Sequence, residues 1–519
     1  MRPRHSKSYN AAADFLECNR AAGRGNKIAV IDEAGTYTYS ELAERVHRCA
    51  NALRGFALEP GQRLVLCLLD SIDFPVSFLG SILAGMVPIP VNTLWTASDC
   101  AFMLADSDAQ AAIVSEDRLA VFQEAARLSN WSGRIIVSSA SYRGDLPAFA
   151  HLLESASPQS ESCATCENDV CFWLYSSGST GKPKAAVHLQ TSLIQTAKLF
   201  AQNILGLNEQ DIVYSAAKLF FAYGLGNSLS FPMSIGATSI LHAGRPTPDV
   251  VCKILREKRS TIFCGVPTLF SSLLASKDLP RLGEHSLRFC TSAGEALPEE
   301  IARAWKKHTG VEIIDGIGST EMLHIFISNR PGAVRYGTTG FPVPGYDVRI
   351  VGDSGDEIPR GEIGELQVKG PTRATCYWNN PEKTRETFLG EWLRTGDRFF
   401  QDADGAFVHC GRSDDMLKVG GLWVSPTEVE SALICHPAVL EVAVVGAADE
   451  NNLIKPKAFV VTKSGVAADA NLAQELQEFV KSKLAPYKYP RWIEFRDEVP
   501  KTATGKLQRF LLRKPADQK

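Results

Sequence analysis

Tyr175-Ser-Ser-Gly-Ser-Thr-Gly-Lys-Pro-Lys184 is the segment that most constrains the fold and chemistry of this chain. An apolar run, Val170 to Leu174, precedes it and predicts a buried strand. Glycines, hydroxyl groups and lysines crowd the segment, and such a loop can hold a polyphosphate through backbone N–H groups and positive charge. It is not a Walker loop, because Pro183 stands where Ser or Thr is required. A flexible Ser/Gly linker is the alternative, but linkers seldom lie between a strand and an amphipathic segment such as 191–201.

The composition excludes some classes of function. The 519 residues are 45% apolar, as in an ordinary globular protein, and their formal net charge is −3. This charge argues against a nucleic-acid binder that relies on an overall positive field. Thirteen scattered cysteines include one close pair, Cys163 and Cys166, without the second pair or the spaced histidines of a zinc site. We therefore expect reduced thiols in a cytoplasmic protein.

Two stretches could be mistaken for targeting or membrane segments. The N-terminus, Met1-Arg-Pro-Arg-His5, is basic but has no apolar segment behind it, so no signal peptide is expected. Residues 74–98 carry no charge, but prolines and glycines interrupt them. We predict a helix that ends near Ala84, a turn at Gly85 and then a buried strand, in a protein without a membrane partner.

Helical and strand patterns alternate along most of the chain, which predicts an α/β fold with largely parallel sheets. After about Gly340, closely spaced strand patterns predict an antiparallel β unit, and a small α/β unit follows Asp414. The prediction is a large N-terminal domain, residues 1–413, made of two α/β layered subdomains and the β unit. A small, mobile C-terminal α+β domain would comprise residues 414–519.

Five further segments place glycine beside acidic, basic or hydroxyl residues. They are Ser292-Ala-Gly-Glu-Ala-Leu-Pro298, Asp315-Gly-Ile-Gly-Ser-Thr-Glu321, Arg394-Thr-Gly-Asp397, Gly411-Arg-Ser-Asp-Asp-Met-Leu-Lys418 with Val419-Gly-Gly421, and Pro500-Lys-Thr-Ala-Thr-Gly-Lys506. The first is predicted to open a helix, the second to follow a strand over 311–314, the third to form a turn and the fourth to mark the domain boundary. Each is weak alone.

In this order and spacing, the segments together resemble the adenylate-forming superfamily. This superfamily includes acyl- and aryl-CoA synthetases, nonribosomal adenylation domains and beetle luciferases. The resemblance covers nearly the whole chain, and the joint set of motifs is specific. Within the superfamily, the segments Ala216 to Asn227, Gly316 to Ile325 and Leu484 to Arg491 are similar to benzoate–CoA ligases.

The resemblance implies a binding site for ATP and Mg²⁺. The implied phosphate loop comprises Ser176, Ser177, Gly178, Ser179, Thr180, Gly181 and Lys184. Glu321 would hold the Mg²⁺ ion, Thr320 would contact the α-phosphate beside Ser319, and Lys506 would reach the α-phosphate and the substrate carboxylate. Asp397 would bind the ribose hydroxyls with Arg412 beside it, since a carboxylate accepts several hydrogen bonds. The implied adenine frame comprises Ser292, Ala293, Gly294, Glu295, Asp315, Gly316 and Ile317.

The resemblance also implies two different uses of one active site. Asp414 stands where the superfamily has its hinge. Lys418, Gly420 and Gly421 follow, and the missing side chains of the two glycines would let the pantetheine arm of CoA approach closely. The small domain would rotate at the hinge between the two steps.

The acid pocket is predicted from aromatic and small residues that would leave a flat slot for a single ring. The implied walls are Phe221, Ala222, Tyr223, Gly265, Val266 and Ile317, with His324 as the floor. Phe220 is either a wall or a core residue, and His324 is either a substrate contact or a buried core histidine. Ile317 takes the place that many relatives give to an aromatic residue stacked on adenine, so some stacking is lost.

The sequence therefore predicts an ATP-dependent aryl-CoA ligase with ATP, Mg²⁺ and coenzyme A as cofactors. Its substrate would be benzoate or a small substituted benzoate, such as 2-aminobenzoate (anthranilate) or hydroxybenzoate. The open alternatives are a stand-alone adenylation enzyme that loads a carrier protein, an ATP-binding or phosphotransfer protein without acyl chemistry, and a luciferase-type oxygenase. The sequence leaves the oligomeric state open, with a homodimer as one possibility.

Overall fold

The structure of the protein is a computed structural model that describes residues 7–56, 58–177, 183–413, 415–419, 422–450, 453–501 and 507–513. Several residues singled out above lie outside the described residues: Gly178, Ser179, Thr180, Gly181, Asp414, Gly420, Gly421 and Lys506.

The described residues form the following helices and strands in chain order. The α-helices are α1 (Ala11–Ala21), α2 (Tyr39–Gly55), α3 (Asp73–Leu83), α4 (Ala97–Ser107), α5 (Leu119–Leu128), α6 (Phe149–Ser155), α7 (Ser192–Thr196), α8 (Ala222–Leu225), α9 (Phe231–Ile235), α10 (Pro248–Glu257), α11 (Pro267–Leu274), α12 (Glu299–Thr309), α13 (Pro381–Thr387), α14 (Pro426–Ile434) and α15 (Ala470–Lys483). The strands are β1 (Ile28–Ile31), β2 (Thr36–Thr38), β3 (Arg63–Cys67), β4 (Val87–Pro90), β5 (Ala111–Ser115), β6 (Arg134–Ser138), β7 (Val170–Ser177), β8 (Pro183–Leu189), β9 (Ile212–Ser215), β10 (Thr238–Ile240), β11 (Ile262–Gly265), β12 (Phe289–Ser292), β13 (Ile313–Gly318), β14 (Ile325–Ser328), β15 (Phe341–Pro342), β16 (Asp347–Val351), β17 (Gly364–Lys369), β18 (Phe388–Leu389), β19 (Trp392–Gln401), β20 (Phe407–Arg412), β21 (Leu417–Val419), β22 (Leu422–Val424), β23 (Val439–Ala448), β24 (Ile454–Thr462) and β25 (Trp492–Phe495).

The largest sheet has nine strands in the order β15-β14-β13-β12-β11-β9-β10-β1-β2. Its central pairs, from β13 to β1, are parallel. The carboxyl ends of β9, β11 and β12 therefore lie at one edge, where open α/β sheets bind their ligands. The Ser292 turn and Asp315 meet there, because Ser292 of β12 is the register partner of Asp315 in β13. Sequence analysis placed Asp315 after its strand, but the strand continues to Gly318.

A second, four-stranded sheet has the order β4-β3-β5-β6 and is parallel throughout. The uncharged stretch 74–98 contributes helix α3, a turn at Gly85 with φ of 85°, and strand β4. This confirms the predicted helix, turn and buried strand, and the layered α/β fold class with it. Among the described residues, no helix has both the length and the apolar character needed to span a bilayer.

The described ends of the phosphate-loop segment lie in the paired antiparallel strands β7 and β8, where Ser177 is the register partner of Pro183. Strand β8 lies between the loop and the amphipathic segment 191–201, and it was not predicted from the sequence. β8 is buried between β7 and residues 374–378, whose main chain pairs with its free edge through the amides of Thr375 and Trp378. The segment 191–201 is the short helix α7 followed by a π-helical turn, Ala197–Gln202.

The region after Gly340 contains the predicted antiparallel unit, with β16-β17-β19-β18 in one sheet and β20 paired to β19. The prediction of a turn at Arg394–Asp397 was wrong, since these residues lie within β19. Gly396 adopts a φ of 75°, which glycine tolerates without strain, so the strand passes through the position and stays paired with β20.

The C-terminal unit has its own sheet, β23-β24-β25, with α14 and α15 packed against it. A separate core of buried residues, including Leu433, Val444 and Leu476, holds these elements together. This agrees with the predicted small α+β domain. The boundary between residues 413 and 414, and the mobility of the small domain, stay predictions.

Candidate active site

A lysine, a tyrosine and a glutamate form the polar centre of the site. Lys184 at the start of β8 lies 2.5 Å from the Tyr377 hydroxyl and 3.4 Å from Glu321 Oε1. The Tyr377 hydroxyl donates to the same Oε1 at 2.5 Å. The Lys184 ammonium also lies 4.1 Å from the centre of the Tyr377 ring, within the range of a cation–π interaction. The structure therefore brings together Lys184 and Glu321, which the sequence predicted separately.

Glu321 is ionised in this arrangement. Burial acts to raise the pKa of its carboxyl, but the Lys184 charge and the Tyr377 hydrogen bond outweigh burial and lower the pKa below its usual value. Burial lowers the pKa of Lys184, and the Glu321 charge opposes this shift. The pair thus holds a carboxylate and an ammonium close to the phosphate-loop segment.

The donor set around Glu321 fits Mg²⁺ that arrives with a nucleotide. Mg²⁺ prefers oxygen ligands and is usually held by one or two carboxylates plus substrate phosphates. Glu321 offers one ionised carboxylate, and within the described ranges no three His, Cys, Asp or Glu side chains form a dedicated metal cage. The residues present therefore fit a metal that ATP brings with it.

The turn that presents Glu321 is tight. The Ser319 hydroxyl accepts the Met322 amide at 3.1 Å, and the Thr320 carbonyl accepts the Leu323 amide at 3.1 Å. Leu323 has a φ of 65°, a left-handed conformation that costs a leucine energy and is found preferentially at functional sites. Sequence analysis missed this strain, because nothing in the residue type indicates it.

Asp397 and Arg412 face each other across β19 and β20, where they are register partners. Arg412 Nη1 lies 3.2 Å from Asp397 Oδ1 and donates to the Thr395 carbonyl at 2.9 Å. His409 Nε2 lies 3.7 Å from the same carboxylate oxygen. A Cβ atom at Gly396 would lie 2.8 Å from Arg412 Nη2, so glycine is needed for space as well as for its φ. The predicted ribose-binding pair is thus in contact in the structure.

The predicted adenine frame lies at the edge of the large sheet. Asp315 Oδ1 and the Ser292 hydroxyl are both buried, and neither makes a hydrogen bond of ordinary geometry in the described part of the chain. Burial raises the pKa of Asp315 well above its ordinary value, although the Ser292 side chain lies near enough to the Asp315 carboxyl to act against this rise. Gly294 takes a φ of 94° in the turn between β12 and α12. Unpaired buried polar atoms are rare, so these two indicate a place for a polar ligand.

The predicted acid pocket centres on His324, which is buried among three aromatic rings. Its ring centre lies 4.5 Å from that of Phe231, 5.4 Å from Tyr223 and 5.5 Å from Phe200. His324 Nε2 lies 3.3 Å from the Tyr223 carbonyl, and burial lowers the pKa of the ring to about 3. His324 is therefore neutral at physiological pH.

Two π-helical turns, Ala197–Gln202 and Gly226–Ser230, contribute to this enclosure. A Cβ at Gly226 would lie 2.7 Å from His324 Nε2, so the close approach requires glycine. Sequence analysis missed the role of Gly226. Its only signal was the pair of glycines in Ala222-Tyr-Gly-Leu-Gly226, which shows no partner by itself.

The other predicted pocket residues lie on both sides of this space. Ala222 is buried in one core cluster with Phe221 packed against it, whereas Tyr223 and Ile317 pack against the second core cluster. The Tyr223 hydroxyl is 2.6 Å from Thr291 Oγ1, which fixes the ring. Gly265 ends β11 at the ligand-binding sheet edge and Val266 follows it at the start of α11. These residues thus belong to two packed layers, and their role as pocket walls stays a prediction.

The small domain reaches the adenine side of the site. The Leu507 amide donates to Glu295 Oε1 at 2.7 Å, and Lys501 forms an isolated β-bridge with Leu507. Lys506 itself lies outside the described residues, but the residue that follows it contacts the Ser292–Ala296 turn. Lys418 is in β21.

Comparison with known proteins agrees with this geometry. The family model for AMP-binding enzymes matches residues 18–378, and the model for the C-terminal domain of AMP-binding enzymes matches residues 428–506. The chain belongs to the AMP-binding enzyme family. Sequence analysis identified this family from the spacing of its motifs, and that prediction is confirmed.

Curated relatives in the AMP-binding family match over nearly the full chain. The benzoate–CoA ligase of Thauera aromatica is 56% identical over 507 residues, covering 97% of this chain and 96% of the relative. The 4-hydroxybenzoate–CoA/benzoate–CoA ligase of Rhodopseudomonas palustris is 46% identical, covering 98% of this chain and 94% of the relative.

Solved structures from the same family are also similar. A benzoate CoA ligase from Burkholderia xenovorans LB400 has a TM-score of 0.92 at 50% identity, covering 98% of this chain and all of that one. The anthranilate CoA ligase AuaEII in complex with anthranoyl-AMP has a TM-score of 0.93 at 42% identity, with 97% and 96% coverage.

The buried His324 makes this AMP-binding enzyme sensitive to acid. Burial holds the pKa of His324 at about 3, against an ordinary value of 6.5. Between these pH values the unfolded chain binds a proton that the folded chain excludes, so the free energy of unfolding falls as pH falls. We expect this residue to lower the free energy of unfolding by about 0.7 kcal/mol between pH 7 and 6 and by about 1.2 kcal/mol between pH 6 and 5, approaching a limiting slope of about 1.4 kcal/mol per pH unit. Urea unfolding at pH 7, 6 and 5 measures it, and a His324→Phe variant with the same slope would contradict the prediction.

Proposed function

We propose that this chain is an ATP-dependent aryl-CoA ligase that acts on benzoate or a small ring-substituted benzoate. The proposal is carried by the four-residue segment from Glu321 to His324. Between Glu321 and His324 the chain passes from an ionised carboxylate beside Lys184 to a neutral imidazole enclosed by aromatic rings. A phosphate site and an aromatic slot are thus adjacent, as the joining of an aryl acid to a nucleotide requires. The benzoate–CoA ligases among its relatives support the same substrate class.

The first step activates the acid. A carboxylate oxygen of the substrate attacks the α-phosphorus of ATP, the bond to the β-phosphate oxygen breaks, and pyrophosphate leaves with the electron pair. Glu321 would hold Mg²⁺, which would supply positive charge that offsets the charge on the phosphates. Lys184 adds a fixed ammonium at the loop, and Lys506 would act at the α-phosphate. Such pre-positioned charges are the main means of accelerating phosphoryl chemistry.

Nucleotide binding divides among the remaining residues. Asp397, held by Arg412, accepts hydrogen bonds from the ribose hydroxyls. Ser292 and Asp315 offer the unpaired polar atoms described above to the adenine. Ile317, two residues after Asp315 in β13, is assigned to both the adenine frame and the acid pocket. In these assignments, the phosphates of ATP react with the acid, and its ribose and adenine hold the nucleotide in the site.

The second step forms the thioester. The CoA thiolate attacks the carbonyl carbon of the aryl adenylate, the bond to the AMP oxygen breaks, and AMP leaves with the electron pair. This step needs space for the pantetheine arm, which we assign to the side of Gly420 and Gly421. It also needs the Lys506 segment to withdraw, which we assign to rotation at Asp414.

One assay separates the candidate functions. Purified protein is incubated with ATP, Mg²⁺ and a panel of substituted benzoates, with and without free CoA, and nucleotides and thioesters are quantified. We expect AMP, pyrophosphate and an aryl-CoA thioester. ADP in place of AMP would contradict the ligase assignment, whereas AMP and aryl adenylate without thioester would favour an enzyme that loads a carrier protein.

The pocket assignment predicts that filling the slot weakens the binding of the ring. Ala222 is 9% exposed and packs in the core beside the pocket. Ala222→Leu should raise KM for benzoate by about tenfold, since excess volume in a packed site costs roughly 1–3 kcal/mol. KM for ATP should stay near the wild-type value.

A graded series tests the direction of this effect. Ala222→Val adds less volume than Ala222→Leu and should raise KM for benzoate by less. Steady-state kinetics with benzoate and with ATP as the varied substrate gives both values. Unchanged use of benzoate by the leucine variant would show that Ala222 does not line the pocket.

A further inference from the structure

His188 in β8 contacts the turn that presents Glu321. Its Nε2 lies 2.9 Å from the Thr320 carbonyl oxygen, and its side chain is fully buried. The ring stacks on Phe172, its cross-strand partner in β7, with ring centres 5.0 Å apart and an angle of 17° between the planes. The imidazole is therefore fixed in orientation and donates from β8 to Thr320.

A histidine at position 188 is less favourable for stability than an apolar ring would be. Its second nitrogen, Nδ1, is buried and has no hydrogen-bond partner among the residues that the structure describes. A buried polar atom without a partner is destabilising, and an apolar ring would stack on Phe172 equally well. The bond to the Thr320 carbonyl is thus what the imidazole contributes and an apolar ring would not.

The same strand contacts the turn at two points. Lys184 and His188 are four residues apart in β8, so their side chains lie on the same face of the strand. Lys184 lies near the Glu321 side chain, and His188 binds the main chain of Thr320, the residue before Glu321. The hairpin that carries the phosphate loop is therefore linked both to the carboxylate and to the backbone that directs it.

The backbone of this turn needs an external support. The Thr320 carbonyl already accepts the Leu323 amide, which closes the turn around the left-handed Leu323. A strained turn persists only where its surroundings hold it. His188 supplies the second hydrogen bond to the same carbonyl from a different element.

We propose that His188 is a positioning residue that sets the Glu321 carboxylate for the metal–nucleotide complex by holding the Thr320 carbonyl against hairpin β7–β8. The inference rests on the proposed function, in which Glu321 holds Mg²⁺ with ATP. His188 acts through the turn and does not touch the nucleotide.

A nearly isosteric pair of variants tests the role. His188→Gln places an amide N–H where Nε2 lies, whereas His188→Met has a similar length and no donor. Calorimetric titration with ATP, in the absence of any aryl acid, gives Kd with Mg²⁺ present and with the metal removed by chelator. We expect the methionine variant to raise Kd for the Mg²⁺–ATP complex by about five- to tenfold, the effect of one lost hydrogen bond. Kd for metal-free ATP should change less than twofold, and the glutamine variant should restore metal-dependent binding.

Two controls make the outcome specific. His308→Met removes a comparable bond, from His308 Nε2 to the Leu279 carbonyl at 3.1 Å, at the far end of α12, and should leave both Kd values unchanged. His188→Asn keeps an amide that is too short to reach Thr320, so it should behave like the methionine variant and serves if that variant does not fold.

The proposal is overturned if folded His188→Met or His188→Asn binds Mg²⁺–ATP as the wild type does. It is also overturned if both forms of ATP weaken equally, since that indicates a general structural role. These results do not depend on activation of an aryl acid, because the titrations involve no aryl acid and no turnover. Failure of the wild-type protein to form an aryl adenylate would instead refute the function while leaving the binding result intact.

Discussion

Lys506→Ala is expected to reduce aryl-adenylate formation by about a hundredfold or more, because one well-placed donor at developing charge contributes about 3–4 kcal/mol. The residue after it, Leu507, donates its amide to Glu295, so the described neighbour of Lys506 contacts the predicted adenine turn. The lysine would stabilise the charge that develops as pyrophosphate leaves. Single-turnover formation of aryl-AMP from benzoate and ATP measures this step.

The second half-reaction distinguishes catalysis from folding. Thioester formation from supplied aryl-AMP and CoA should change little in Lys506→Ala, since the pyrophosphate has already left. Lys501→Ala is a matched control, because Lys501 lies in the same segment but forms an ion pair with Glu441 at 2.5 Å. Equal losses in both half-reactions of Lys506→Ala would show that the lysine has a structural role.

Asp414→Pro is expected to leave one half-reaction, adenylation in our assignment, largely intact and to slow the other by about a hundredfold or more. Proline fixes φ near −65° and restricts the residue before it, so a hinge at this position could no longer take two backbone conformations. A hundredfold change in rate corresponds to about 2.7 kcal/mol in the barrier. The described neighbours bracket the site: the Ser413 amide binds the Gly396 carbonyl, and the Asp415 amide binds that of Arg412.

The measurement separates the two steps. Aryl-AMP formation and thioester formation from supplied aryl-AMP are each followed in a single turnover. Asp414→Ala, which removes the carboxylate but leaves φ free, should keep both steps within a few fold of wild type. Wild-type rates for both steps in the proline variant would refute either the two-orientation mechanism or the hinge at Asp414.

The sequence by itself determined the family, the fold class and most of the polar residues of the candidate site. Lys184, Glu321, Asp397 and Arg412 stand in segments whose order and spacing are specific to adenylate-forming enzymes. The structure places the predicted pair Asp397 and Arg412 in contact, and it brings together Lys184 and Glu321, which were predicted separately. Such segments can be recognised in a sequence because phosphate, ribose and metal each require particular residue types at turns and strand ends.

The local sequence pattern could not predict which segments pair with each other in the sheets. Arg394–Asp397 reads as a turn, yet it lies inside β19, because Gly396 absorbs a left-handed φ that cross-strand pairing with β20 maintains. Strand β8, which follows the phosphate loop, was not predicted from the sequence; it pairs with β7 on one side and with residues 374–378 on the other. Both outcomes depend on partners far away in sequence.

The supporting residues were decided by tertiary structure alone. Tyr377 contacts Glu321, which is 56 positions away in the sequence, and His188 contacts Thr320, which is 132 positions away. Gly226 is needed because the ring of His324 lies against it. The residue types glycine, tyrosine and histidine do not indicate these roles. The roles arise because burial excludes water and places each residue against one particular partner. The sequence records the groups that do the chemistry, whereas the close packing of distant strands decides which other groups hold them in place.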